Sequence, residues 1–291
     1  MILTVGTGFL GSRVAREAAA RDEKVVATVR NENAAAPLPG ARRVRCDVTS
    51  EADVKALREL CRGEELTVFY FAACHNVDFV YEHPGEARKV NIGALRGFLD
   101  VFGDADRLIF SSTDCVYGEN PPDIPAFRED SPKNPVNVYG EQKLEAEELV
   151  RSRGFTAARL PFMLGPSLTG KPHFYDKMIS DLRSGRDIEM IDGFTRSAIS
   201  YATAAELLLA LARLPADRLP SAVNVCGDEA LTKYETALRA AAAAGLPTEH
   251  IKKISEAESR KFFKDRRASR SVMDNSLLKG LIGVGSVKLE F

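Results

Sequence analysis

The sequence predicts an α/β fold: a doubly wound parallel sheet with a smaller C-terminal cap that binds substrate. Three observations point there. Short, near-continuous apolar runs alternate with helical patterns up to about residue 165, as strands buried on both faces require. The first run leads into Gly6-Thr7-Gly8-Phe9-Leu10-Gly11, and a helical pattern follows at once. Beyond residue 165 helical segments dominate, with only short apolar runs between them.

Taken in order, Ile2–Val5 reads as a buried strand and Phe9–Ala20 as a helix, polar at Ser12, Arg13, Arg16 and Glu17. The β-branched run Lys24–Val29 is a second strand and Val44–Cys46 a short third. Thr49 or Ser50 caps a helix starting at Glu51. Leu66–Phe71 is a fourth strand, and Pro84 opens a long helix through about Val101. Arg107–Ser112 is a fifth strand, followed by a Pro-rich loop at 120–135. Tyr139–Arg151 is a charged helix and Phe155–Leu160 a sixth strand. Segments 173–184, 203–213 and 232–244 read as helices, with apolar runs at 188–191 and 222–226. Right-handed crossovers make the first part a Rossmann-type sheet over residues 1–165. Residues 166–291 are then mostly cap, part of them returning to the sheet, with a soft boundary at GPSLTG (165–170).

Composition narrows the function. With 40 basic and 41 acidic residues the formal charge is −1, which excludes a nucleic-acid binder driven by bulk positive charge. Apolar residues make up 45% and charged residues 28%, an ordinary globular mix. No apolar run reaches the ~20 residues that cross a bilayer, and residues 1–11 lack the basic start of a secretory leader. Cys46, Cys61, Cys74, Cys115 and Cys226 form no CxxC pair, and the four histidines are scattered. The expectation is a cytoplasmic protein with no disulfide framework, metal site, nucleic acid or membrane partner.

The glycines of 6–11 let the chain turn tightly and bring backbone N–H groups against a pyrophosphate. The following helix aims its positive end at that charge. Gly6, Gly8, Phe9, Leu10 and Gly11 are therefore candidate cofactor contacts. Where an acid would accept from an adenosine 2′-hydroxyl, about 20 residues on, the chain has Arg30, which suits a 2′-phosphate and favours NADP over NAD. Asp47-Val48, after strand 3, is a candidate adenine contact, though Asp47 equally suits helix capping.

Tyr139 and Lys143 stand at i and i+4 on one helical face. An ammonium beside a phenol favours phenolate, so Tyr139 can exchange a proton near neutral pH. Lys143 can also hold the nicotinamide ribose, and Ser111, Ser112 and Thr113 end strand 5 beside them.

With these residues in place, the chain resembles the extended short-chain dehydrogenase/reductase superfamily of nucleotide-sugar epimerases, dehydratases and reductases. The resemblance rests on TVGTGFLG (4–11), CDV (46–48), FAACHNVDFVYEHP (71–84), Val90-Asn91, SSTDCVYG (111–118), NPVNVYGEQKLEAE (134–147), ARLPFMLGP (158–166) and Arg196. The branch it resembles is the dTDP-4-dehydrorhamnose reductases, through STDCV (112–116), LTKYE (231–235) and RRASRSVMD (266–274).

The resemblance implies Tyr139 as acid/base, Lys143 as its partner and Thr113 as the third catalytic group. It implies cofactor contacts at Ala72, Ala73, Asn91 and Pro161. His75, Asp114 and Arg196 are implied on the substrate side, Arg196 against a diphosphate. Val5 stands where the family usually has glycine, and Asp114-Cys115 where dehydratases have an Asp-Glu pair. The implied reaction is reduction of a keto group on a nucleotide sugar or related keto-sugar, with NADP preferred or NAD. The alternatives are an epimerase with retained NAD and a non-catalytic dinucleotide-binding regulatory subunit. The helices at 84–103 and 139–151 are candidates for a homodimer contact.

Overall fold

The computed structural model describes residues 1–31 and 37–291. Strands β1 (Ile2–Val5), β2 (Val25–Val29), β3 (Ala41–Arg45), β4 (Thr67–Tyr70), β5 (Arg107–Thr113) and β6 (Thr156–Leu160) form its central sheet. The short strands β7 (Phe162–Leu164), β8 (Ile188–Asp192) and β9 (Thr195–Ser200) leave that sheet, and β10 (Ala222–Asn224) returns to pair with β6. The seven strands run parallel in the order β10-β6-β5-β4-β1-β2-β3. The order reverses between β1 and β4, and carboxyl ends of strands open a crevice at such a reversal.

Alternation along each strand feeds two cores. Ile2, Ile109 and Ala158 face one, and Leu3, Val5, Leu108 and Phe110 face the other. The second core is covered by α2 (Glu51–Leu60), α5 (Leu95–Phe102) and α6 (Val138–Ser152). The first is covered by α1 (Phe9–Ala19), α8 (Tyr201–Ala212) and α11 (Ser276–Ile282). Leu207, Leu208 and Leu211 of α8 pack with Val14 and Ala18 of α1. The chain beyond residue 166 thus supplies one layer of the sheet domain as well as the cap.

In the cap, β8 pairs with β12 (Ile251–Ser255). Strand β9 pairs with β7, β11 (Ala230–Leu231) and β13 (Arg270–Ser271). Helices α7 (Phe174–Arg183) and α9 (Lys233–Ala243) close over Met190 and Ile251. No helix among the described residues is long and apolar enough to cross a membrane.

Three local details differ from the sequence reading. Strand β3 starts at Ala41, because the exposed Arg42 and Arg43 pair backbone to backbone along β2 and leave no apolar signal. A short helix α3 (Val77–Glu82) precedes Pro84, its end held by Phe79 N donating to the Asn76 side chain at 3.0 Å. The long helix after it is composite: α4 (Pro84–Arg88), a π-helical segment Lys89–Ala94, then α5.

Behind the strand ends lies a sealed ion pair. Arg159 of β6 and Glu147 of α6 have no exposed side-chain surface and meet through two hydrogen bonds of 2.9 and 2.8 Å. Ser112 Oγ donates to the same carboxylate at 2.5 Å, and Arg159 donates to the Tyr117 hydroxyl at 2.6 Å. Such a cluster is tolerable inside a protein only because each charge is answered.

Candidate active site

The glycine turn is built by steric demand. Gly6 adopts φ +91°, and a Cβ there would sit 2.7 Å from Ala72 N. A Cβ on Gly11 would sit 2.2 Å from the Gly6 carbonyl oxygen, so helix and turn touch backbone to backbone. Gly8 differs: a Cβ there meets no atom within 4 Å, because that position faces open space. Thr28 of β2 anchors the turn, accepting from Gly6 N on its hydroxyl (2.9 Å) and from the Thr7 hydroxyl on its carbonyl (2.8 Å). Val5, in place of the family's first glycine, is fully buried in the strand, and the turn begins one residue later. Helix α1 has neither a capping side chain nor an acid in its first turn. Its leading N–H groups stay available for an anion.

A cavity of about 480 Å³ runs from this turn to the cap. Gly6, Gly8, Phe9, Leu10, Gly11, Ala73, His75, Thr113, Asp114, Tyr139, Lys143, Pro161 and Arg196 all line it. Chain positions from 6 to 196 thus converge on one space. The remaining expected residues lie off its wall. Ala72 packs directly beneath Gly6. Asn91, in the π-helical segment, is 3% exposed. It accepts from Cys74 N (2.8 Å), and its amide donates to Cys74 O (3.1 Å) and Gln142 Oε1 (2.9 Å). Asn91 thus ties the segment after β4 to α6 and stands behind the wall. As a direct cofactor contact it is corrected to a support of the site.

Arg30 is exposed at the end of β2, near enough to Asp47 to lower its pKa. The larger cause of that lowering is Thr49, whose N–H and hydroxyl donate to Asp47 at 2.9 and 2.7 Å. The carboxylate is thus engaged in a local turn before the helix, while the helix itself is capped by Ser50, which accepts from Asp53 N. Val48 is half-buried and packs on the second core.

The reacting groups line the same wall of the cavity. The Thr113 hydroxyl lines the cavity with the Tyr139 phenol and donates to Asp114 at 3.0 Å. Burial holds the Tyr139 pKa well above the usual phenol value rather than lowering it. Lys143 is 2% exposed, and its ammonium donates to the Ser111 carbonyl and lies 4.0 Å from the Phe110 ring centroid. Burial lowers its pKa to about 7, against the opposing pull of Glu147 one turn along the helix. The shared helical face is as expected, and the Lys143 ammonium is engaged by the Ser111 carbonyl of β5.

Asp114 and Arg196, both expected to face substrate, face each other at 2.6 Å. His75 lines the cavity with its pKa lowered, chiefly by desolvation. Sequence reasoning missed His173 and Tyr201, which join Phe9 over the glycine turn; the His173 ring lies 4.0 Å from Phe9. It also missed Lys233, Phe263 and Arg267 on the cap wall. Isolated cations and rings near a C-terminus carry no spacing signal. On the cap helix α7, Tyr175 stacks on Phe291 and Lys177 is exposed.

Comparison with known proteins follows the same lines. Residues 1–288 match the family model described as RmlD substrate binding domain. The methionine adenosyltransferase 2 subunit beta of Xenopus laevis is 28% identical over 264 residues, 88% of this chain and 75% of that one. The dTDP-4-dehydrorhamnose reductase of Bacillus anthracis, solved in complex with NADP, superposes with a TM-score of 0.81 at 17% identity, covering 99% of this chain and 94% of that one. MoeE5, solved with UDP-glucuronic acid and NAD, gives 0.79 at 22% identity, covering 99% and 94%. Likeness at these identities establishes a shared fold.

Proposed function

The chain belongs to the RmlD substrate binding domain family, as its motifs implied, and on that premise we propose that it is an NAD(P)-dependent oxidoreductase reducing a keto group of a nucleotide sugar or related keto-sugar. One observation carries the reading: the glycine turn, the Thr113, Tyr139 and Lys143 set, and Arg196 all open onto one cavity. The cofactor seen in the B. anthracis reductase and the nucleotide sugar seen in MoeE5 support it.

The residues fit a dinucleotide. The open space at Gly8 and the free N–H groups of α1 would take the pyrophosphate. Arg30 would meet the 2′-phosphate of NADP, and Pro161 would back the nicotinamide. Bound there, a reduced nicotinamide supplies hydride; the chain's part is the proton. Tyr139 keeps its proton because burial disfavours phenolate, so the resting residue is an acid. It donates from its hydroxyl to the sugar's carbonyl oxygen as charge builds there, while the Thr113 hydroxyl holds that oxygen. Lys143, with a pKa of about 7, would hold ribose hydroxyls of the cofactor, and in its protonated form would stabilise the phenolate left behind.

The test is Tyr139→Phe in NADPH oxidation with 4-keto nucleotide sugars. Loss of a general acid lowers the rate ~10²-fold or more; a near wild-type rate sinks the assignment. Cofactor released from the purified protein separates the runner-up. Tightly retained NAD with no preference for the phosphorylated form supports the epimerase. The third reading is a dinucleotide-binding subunit without turnover. It is favoured by the X. laevis relative, named a subunit. Dinucleotide binding without turnover on any keto-sugar would put it first.

A further inference from the structure

The end of β5 is fastened to α6 at two successive residues. The Ser111 carbonyl accepts from the Lys143 ammonium, and Ser112 Oγ donates to Glu147 Oε1 at 2.5 Å. Lys143 and Glu147 stand one turn apart on the helix. The register of the sheet makes Arg159 of β6 the direct neighbour of Ser112. These two neighbours grip one carboxylate, Arg159 through bonds of 2.9 and 2.8 Å. Glu147 thus reaches from the helix into a socket made by two strands, and neither it nor Arg159 has exposed side-chain surface. A further contact follows on the other side of Thr113, the last residue of β5. A Cβ on Gly140 of α6 would lie 2.6 Å from the Cys115 carbonyl oxygen, so the first turn of the helix rests on backbone there. Thr113 is bracketed by these contacts, and Tyr139 is the chain neighbour of Gly140.

Stability alone does not account for the socket. Burying an ion pair desolvates both charges, and apolar side chains of equal volume often fold as well or better. Apolar packing does not fix direction, whereas a hydroxyl, a carboxylate and a guanidinium meet at set distances and angles. Arg159 is itself held, donating to the Tyr117 hydroxyl at 2.6 Å and to the Glu129 carbonyl at 2.9 Å. The Tyr117 hydroxyl in turn donates to Asn224 of β10 at 2.8 Å. The socket is therefore anchored on the sheet side and sets where α6 stands against the end of β5. That offset matters because the two elements carry Thr113 and Tyr139, which both line the cavity. Glu147 lies off the cavity wall, so it acts on chemistry only through what it holds.

We propose that Ser112 and Glu147 are positioning residues for the reaction: by fastening β5 to α6 they hold the Thr113 hydroxyl in register with the Tyr139 phenol, so that both meet one carbonyl oxygen. The proposal rests on the oxidoreductase reading of the cavity and adds to it two residues that touch no reacting atom. Lys143 shares the fastening, but its ammonium would also serve the ribose and the phenolate. Ser112 and Glu147 have no such second task.

The experiment pairs steady-state NADPH oxidation on 4-keto nucleotide sugars with thermal denaturation of the same full-length variants, rates being read well below every Tm. Ser112→Ala is expected to lower kcat ~10-fold or more, as a small misplacement of reacting groups does. KM for the sugar and Kd for NADPH stay within about twofold, because the loss falls on the transition state alone. Ser112→Thr, which keeps the hydroxyl, retains kcat within about threefold. Glu147→Leu combined with Arg159→Met removes both charges of the socket, recovers most of the stability that Glu147→Leu loses, and stays as slow as Ser112→Ala. A double variant that regains the wild-type rate along with its stability makes the pair purely structural and overturns the inference, as does Ser112→Ala with wild-type kcat. Either result leaves the oxidoreductase reading standing. Wild-type protein that binds NADPH but reduces no keto-sugar overturns that reading and this inference with it.

Discussion

Two glycines five residues or fewer from one another should respond to the same substitution in opposite ways. Gly8 has φ −75° and ψ −158°, an extended backbone open to any residue, and its missing Cβ would meet nothing within 4 Å. Gly8→Ala should therefore leave the fold within about 0.5 kcal/mol of wild type. The added methyl would stand where a pyrophosphate must come against backbone N–H groups, so NADPH affinity should fall ~10-fold or more. Gly11→Ala drives a Cβ to 2.2 Å from the Gly6 carbonyl oxygen, well inside contact distance, so α1 or the turn must shift. Overpacking of that kind costs about 1–3 kcal/mol, a Tm fall of roughly 3–10 °C for a chain near this size. The assays are thermal denaturation without ligand and fluorescence titration with NADPH. Gly8→Ala that binds NADPH like wild type would refute the placement of the phosphate cradle. A Gly11→Ala protein as stable as wild type would refute the claim that the turn is set by backbone contact.

Three further outcomes follow from the same geometry. Folded Lys143 loses its proton near pH 7, whereas the unfolded chain holds it to about 10.5. The unfolded state binds more protons between those values, so stability from this group rises with pH across that window and its full cost applies below pH 7. Lys143→Met should thus be stabilising below pH 7, with the gain shrinking toward pH 10, as read by denaturation at several pH values; a pH-independent difference contradicts it. Glu147→Leu alone should destabilise by about 3–5 kcal/mol by stranding Arg159, and adding Arg159→Met should recover most of that in urea unfolding. Additive losses would mean the pair is not an isolated unit. Arg30→Asp should weaken NADPH about tenfold or more while sparing NADH, because an acid repels a 2′-phosphate and accepts from a 2′-hydroxyl; unchanged selectivity places the 2′-phosphate elsewhere.

What could be foreseen from the chain divides by the range of the forces involved. The glycine turn was legible because its demands are local: Gly6 and Gly11 answer contacts made within the turn and its neighbouring strand end, and helix α1 begins at Phe9 as periodicity requires. Sheet strands rich in β-branched residues were legible for the same reason, while β3, whose arginines pair through backbone at an edge, was legible only in part. The i, i+4 spacing placed Tyr139 and Lys143 on one wall, but spacing says nothing of where a long side chain ends. The Ser111 carbonyl and the Phe110 ring, on a strand more than 30 residues earlier, decide that.

Arg196 shows the same limit. A guanidinium in that position was foreseeable as an anion grip, yet its partner Asp114 lies 82 residues away in sequence and occupies part of its fork. Two residues assigned separately to substrate thus form one unit, and any ligand must either share Arg196 with Asp114 or displace it. Lys233 is the converse. No local pattern marks it, and its ammonium lies among the rings of Phe162, Phe174 and Phe263, on segments that only folding brings together.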